Sequence, residues 1–219
     1  KGLDKEKNII DALELYKKLA NNSKINEITT KSMYQYIKIL NNGKQICQKV
    51  LLDYDKNTSD KGNKYSMYHY ARMIEKGLDK EKDLSEALTL YKKLADDSEI
   101  NEITTRSMCR YAYMCNHGKG TDVNKEEASR YYFKAAERGN TNAMYYYGFM
   151  LENGYGINED KQKALLYYKK AASNGNEFAK SNVERLSKIL NKDKNERLNS
   201  CIKLILAVIF LITIIFFNK

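Results

Sequence analysis

The chain repeats itself. Residues 1–43 and 76–118 align without a gap at an offset of 75, and 27 of the 43 positions are identical. KGLDKEK at 1–7 recurs unchanged at 76–82, and SKINEITTKSM at 23–33 returns as SEINEITTRSM at 98–108. A shorter period runs inside this duplication. Ser32-Met33, Ser66-Met67, Ser107-Met108 and Ala143-Met144 open similar segments 34, 41 and 36 residues apart. A period of this size belongs to stacked helical pairs, in which no single pair can bury both of its faces.

The segment NAMYYYGFMLENGYGINEDKQKALLYYKKAASNGN, 142–176, carries the pattern most completely. Ala143, Tyr147 and Leu151 form an i, i+4, i+8 stripe with Gly148 beside it, which predicts a first helix of about three turns. Gly154 stops that helix and Gly156 keeps the following loop tight. Asp160 stands where an N-cap belongs. Ala164, Tyr167, Tyr168, Ala171 and Ala172 make the second stripe, and Gly175 ends it. Gly118, Gly120, Ala128, Tyr131, Tyr132, Ala135, Ala136 and Gly139 each lie 36 residues before a counterpart in that segment. Paired alanines let helices approach closely, and glycines close the turns.

These residues resemble the Sel-1-like repeat, a relative of the tetratricopeptide repeat. Ala143, Gly148, Gly154, Gly156, Ile157, Asp160, Lys163, Ala164, Tyr167, Tyr168, Lys170, Ala171, Ala172 and Gly175 meet the family pattern, while Tyr147 replaces its Leu and Leu151 its Tyr. The copy at 107–139 is good. The copy at 66–95 keeps Gly77, Ala87, Tyr91 and Ala95 but lacks the second glycine, and a copy at 32–57 is degenerate. The resemblance implies an all-α fold, a right-handed alpha-alpha solenoid over residues 1–186 with about five copies, the first of them cut. It also implies an adaptor that binds other proteins and is not an enzyme.

Glu177 to about Lys192 reads as a closing helix in which Phe178, Ala179, Val183, Leu186 and Leu190 cover the last repeat. Residues 187–200 are expected to hold the end of that cap and a charged juxtamembrane linker. Cys201–Phe217, CIKLILAVIFLITIIFF, carries Lys203 as its only charge and is apolar all round. Seventeen helical residues span roughly 25 Å, enough for a thin bilayer, so a transmembrane helix is expected over 201–217. Glu184–Lys203 contains six Lys or Arg against three acids, whereas only Lys219 lies beyond the run. The positive-inside rule then puts the repeats in the cytosol, as in a single-pass tail-anchored protein; the endoplasmic reticulum membrane is the expected location. The chain opens on Lys1 inside a repeated motif, so a preceding segment is expected. A signal peptide there would place the repeats in the lumen.

The net charge of +10 invites a nucleic-acid reading. Lys outnumbers Arg 31 to 7, however, and Lys with the 22 Asn makes about a quarter of the chain. That is a bias spread over solvated surface, and no nucleic-acid partner is expected. His69 and His117 occupy non-equivalent positions, with no Cys or acid at metal-ligand spacing. Cys109 and Cys115 lie about 240° apart on one helix and do not pair. Cys201 lies at the membrane boundary, where an ordinary interfacial thiol is favoured over a palmitoylated one. Asn21 and Asn57 open glycosylation sequons of the kind that chance supplies in an Asn-rich chain. No P-loop, GxGxxG or GxSxG occurs, and neither a cofactor nor a small-molecule substrate is expected.

Partner contacts are expected on the first helix of each repeat, which lines the concave wall of such a stack. The residues off the core stripe there include Tyr68, Arg72, Arg110, Tyr113, Tyr145, Tyr146 and Phe149. Tyr and Arg are favoured interface anchors. The resemblance also admits a narrower alternative, a Sel-1-like subunit of the ubiquitin ligase complex of endoplasmic-reticulum-associated degradation. A repeat-bearing hydrolase is remote, since no nucleophile motif is present.

Overall fold

A computed structural model describes residues 62–77 and 83–217, with short helical stretches between 52 and 60. Side chains are described as far as residue 210. The cut first repeat, most of the 32–57 copy and the sequon at Asn21 lie outside the described residues.

Seven helices follow in order: α1 Lys64–Lys76, α2 Leu84–Ala95, α3 Glu102–His117, α4 Lys125–Glu137, α5 Thr141–Asn153, α6 Lys161–Ser173 and α7 Glu177–Phe217. The chain divides into two compact units, one ending at Asn140 and the other beginning at Thr141. In the first, α1 packs on α2, α2 on α3 and α3 on α4. In the second, α5 packs on α6 and α6 on α7.

Short polar side chains start the helices. Asn63, Asp83, Asn124 and Asp160 each accept a hydrogen bond from the backbone N–H three residues on, at 2.8–2.9 Å. Asn101 does the same for Thr104, whose hydroxyl accepts the Asn101 N–H in return, a capping box. Asp160 is thus the N-cap that the repeat pattern predicts, and Gly154 follows the last residue of α5 as expected.

The predicted stripes form the core. Ala87, Ala128, Ala135, Ala143, Ala164 and Ala171 are fully buried. They let the rings of Tyr91, Tyr132 and Tyr168, themselves 0–1% exposed, fill the space between paired helices. Ala136 is buried with them, whereas Ala172 stays partly exposed. Gly148 lies in the middle of α5, where an added Cβ would stand 3.0 Å from the Tyr168 ring and 3.3 Å from the Ala164 carbonyl oxygen. Gly120 has φ +74°, and a Cβ there would meet the Leu84 carbonyl oxygen at 2.3 Å. Only glycine serves a loop that presses this closely on the start of α2.

Two expectations at the C-terminal end change. The cap is narrower than expected: Ala179 and Leu186 are fully buried, but Phe178 is 73% exposed. One position before Ala179, Phe178 points about 100° away from the packed stripe. The stretch expected as a linker is helical, because α7 runs unbroken from Glu177 to Phe217. No Gly or Pro interrupts it after Asn176, and Lys192 and Glu196 form an i, i+4 pair at 3.9 Å. Among the described residues no helix is long and apolar enough to cross a membrane.

Candidate partner-binding face

The seven residues expected to face a partner separate into distinct environments. Tyr68 is not available: it is 5% exposed and its ring meets Tyr91 edge-on at 5.8 Å. It belongs to the core because it points along α1 toward α2. Arg72, one turn on, is half-buried with its guanidinium 5.9 Å from the Tyr68 ring centroid. On α3, Arg110 and Tyr113 are half-buried and come together, the guanidinium 5.2 Å from the ring centroid. Lys119 approaches the same ring at 4.8 Å, and His117 lies against it with centroids 4.2 Å apart.

In the second unit, Tyr145 and Tyr146 are half-buried neighbours at 5.3 Å, and Phe149 is 41% exposed. Tyr145 has a structural share as well, since its ring stands 5.8 Å from the buried Tyr168. Phe149 and the exposed Tyr155 meet at 5.9 Å, and the exposed Phe178 reaches Tyr145 at 6.3 Å. These rings give α5 and the start of α7 an apolar surface edged by water. Tyr155 and Phe178 are additions to the expected set. Both escape a reading based on repeat equivalence because one sits in a loop and the other in the cap.

Each unit also holds a carboxylate that binds two of its helices together. Glu75, near the end of α1, accepts hydrogen bonds from the Tyr91 hydroxyl at 3.1 Å and from the Arg110 guanidinium. Glu152, near the end of α5, accepts from the Tyr168 hydroxyl at 2.9 Å and from Arg185 of α7 at 2.8 Å. Each carboxylate therefore ties the second helix of its own repeat to the first helix of the next. Burial pushes the Glu75 carboxyl up, but the Arg110 guanidinium outweighs it and holds the group below the usual carboxylate range. Burial and Glu75 push the Tyr91 phenol up, and burial and Glu152 do the same to Tyr168. Glu75 and Glu152 were missed in the sequence, although each stands 16 residues before the tyrosine it binds.

His69, Cys109 and Cys115 lie in surroundings that suppress their reactivity. His69 is buried between Tyr65 and Tyr68, and burial, followed by Arg72 and Arg106, lowers its pKa to about 4. Burial pushes the Cys109 thiol up to about 12 and raises that of Cys115 as well, so neither is a ready nucleophile. Among the described residues no group of three or more His, Cys, Asp or Glu could hold a metal ion.

The family model described as Sel1 repeat matches residues 1–24, 64–98, 105–140 and 141–176. The degenerate copy expected at 32–57 falls between the matched segments. Among solved structures, a Sel1 repeat protein from Oxalobacter formigenes is 26% identical, with a TM-score of 0.52 over 60% of this chain and 95% of that one. The protective antigen c5321 of uropathogenic Escherichia coli, described as displaying an SLR fold, is 22% identical. It aligns with a TM-score of 0.64 over 76% of this chain and 34% of that one. No curated protein matches the sequence. Sel1 repeat proteins generally mediate protein–protein interaction and are typically non-enzymatic scaffolds. With more than half of its length matched, and with stacked helical pairs that bury the repeat's own alanines, tyrosines and glycines, the chain belongs to the Sel1 repeat family.

Proposed function

We propose that this chain is a non-enzymatic scaffold that holds partner proteins or peptides against the first helices of its repeats, anchored to a membrane through residues 201–217. The observation that carries the binding part is the set of accessible rings on those helices, Tyr113 beside Arg110 and Lys119, and Tyr146 and Phe149 beside the rings of Tyr145 and Tyr155. Clustered aromatic side chains left partly in water are favoured interface anchors. The anchoring part rests on the sequence. Leu204–Phe217 is an unbroken run of apolar residues and Thr, and the preceding stretch is rich in Lys and Arg. The same charge bias supports repeats on the cytosolic side of the membrane. No observation favours a role in a degradation complex or a particular organelle over the general scaffold.

The binding part is tested by capturing the principal partner from native membranes. Tyr113→Ala, Tyr146→Ala and Phe149→Ala together should abolish capture while circular dichroism stays unchanged. Replacing Lys92, Lys93, Lys134, Lys169 and Lys170 of the second helices by Gln should leave capture intact. Loss of partners in the Lys set alone would move the interface to the second helices. Anchoring is tested by deleting residues 201–219, which should release the protein from membranes under a carbonate wash. A truncated chain that still sediments with membranes would refute the anchor.

A further inference from the structure

The face of the first unit carries a charge pattern that narrows the partner's chemistry. Arg106, Arg110 and Tyr113 follow one another at i, i+4 and i+7 on α3, and Arg72 stands on α1 beside them. Arg72 lies over the Tyr68 ring at 5.9 Å, on the helix that also packs against α3. Lys119 closes the row, its Nζ 3.4 Å from the Tyr113 hydroxyl.

Two acids oppose these four cations. Glu75 is 7% exposed and committed to Arg110, an internal pair. Glu102 reaches Arg106 at 2.6 Å, but that pair is 59% and 50% exposed, so a competing carboxylate can take the guanidinium at little cost. Among the described residues, neither Arg72 nor Lys119 meets a carboxylate. Each lies against a tyrosine ring instead, which fixes its position; Lys119 acts on Glu75 only from beyond contact distance, so both charges can still meet an incoming carboxylate. The row from Arg106 to Tyr113 measures about 10 Å along α3. That is the length of about three residues of extended peptide. Guanidinium forks match carboxylates two bonds at a time, and a half-buried tyrosine offers an apolar landing between them.

We propose, on the scaffold reading above, that this face binds an acidic peptide segment. One carboxylate sits on Arg72 and Arg106, a second on Lys119 at the other end of the row, and an apolar side chain beside the second lies on Tyr113. A nucleic acid fits less well, because its phosphates call for a longer basic track than one 10 Å row (about two to three nucleotides).

The test is fluorescence anisotropy on the full chain in detergent micelles at about 0.15 M salt. The probe is a fluorescein-labelled nonapeptide of alternating Ala and Glu with a central Leu, set against the same peptide with Gln for Glu. The Glu peptide should bind at least about tenfold more tightly, and Arg72→Gln with Lys119→Gln should remove most of that difference. The double variant leaves the Arg110–Glu75 pair in place, and an unchanged melting curve verifies its fold. Equal affinity for the two peptides, no binding up to about 1 mM, or no effect of the double variant would overturn the proposal. So would an oligothymidylate that displaces the peptide and loses binding in the same variant. If the peptide fails while partner capture still depends on Tyr113, the scaffold reading stands and the acidic class alone falls.

Discussion

At the scale of single residues, the sites where helices touch decide what the repeat tolerates. Gly148 makes this quantitative. Its counterparts in the two earlier repeats are Ala71 and Ala112, both fully buried, so a methyl group fits the general geometry. At Gly148 a methyl meets the Tyr168 ring at 3.0 Å, a contact that the higher helix propensity of Ala offsets by up to about 1 kcal/mol. Gly148→Ala should therefore be nearly neutral. Gly148→Val adds branches against the Ala164 carbonyl and should cost about 1–3 kcal/mol by denaturant unfolding. A Val variant within the scatter of surface substitutions would remove the close-approach argument. His69 makes a second prediction. Its pKa falls from the ordinary 6.5 to about 4 in the fold, so the unfolded chain binds the extra proton first as pH drops. Stability is thus lost as pH falls from about 6.5 toward 4, with about 2 kcal/mol gone from this residue by pH 5. His69→Gln should flatten that part of the stability profile relative to the parent. An equal slope in both would show that His69 titrates normally.

At the scale of elements, the helices and their caps were legible because each repeat states them again. Asp160 and Asn124 occupy the same N-cap position 36 residues apart, and the buried alanines recur at the same interval. The carboxylate ties were not legible, for a physical reason. Arg110 aligns with Tyr146 in the repeat pattern and Arg185 with Phe149, three residues apart, so the two guanidiniums reach equivalent glutamates from different turns of the next helix. Side chains this long let function persist while position drifts. The charged linker expected over 187–200 is helical for a related reason: its Lys, Glu, Arg and Leu are good helix formers, and charge alone does not end a helix. The ties make a prediction at this scale. Glu152→Ala strands the buried Tyr168 hydroxyl and should cost about 1–3 kcal/mol, whereas Arg185→Ala, whose side chain is 47% exposed, should cost less than about 1 kcal/mol. A double-mutant cycle between Glu152→Ala and Tyr168→Phe should show coupling. Additive effects would mean that the hydroxyl finds water instead.

At the scale of the whole molecule, the repeats bury alanine and tyrosine stripes internally and leave rings and cations on their first helices. Exposed apolar side chains also occur on second helices, Phe133 on α4 and Leu166 on α6, so exposure alone does not select a face. Cations lie over tyrosine rings on both kinds of helix, but the rings so covered on the second helices, Tyr131 and Tyr167, are buried. On the first helices Tyr113 is partly open beneath its cations, and the partly open Tyr145, Tyr146 and Phe149 cluster with other rings. The most direct measurement is site-resolved photo-crosslinking in native membranes. A benzophenone side chain is placed singly at Tyr113, Phe149, Phe133 and Leu166, and the crosslinked products are compared. The account predicts one common partner band from Tyr113 and Phe149, with neither Phe133 nor Leu166 yielding it. The same band from Phe133 and Leu166, absent at Tyr113 and Phe149, would contradict it.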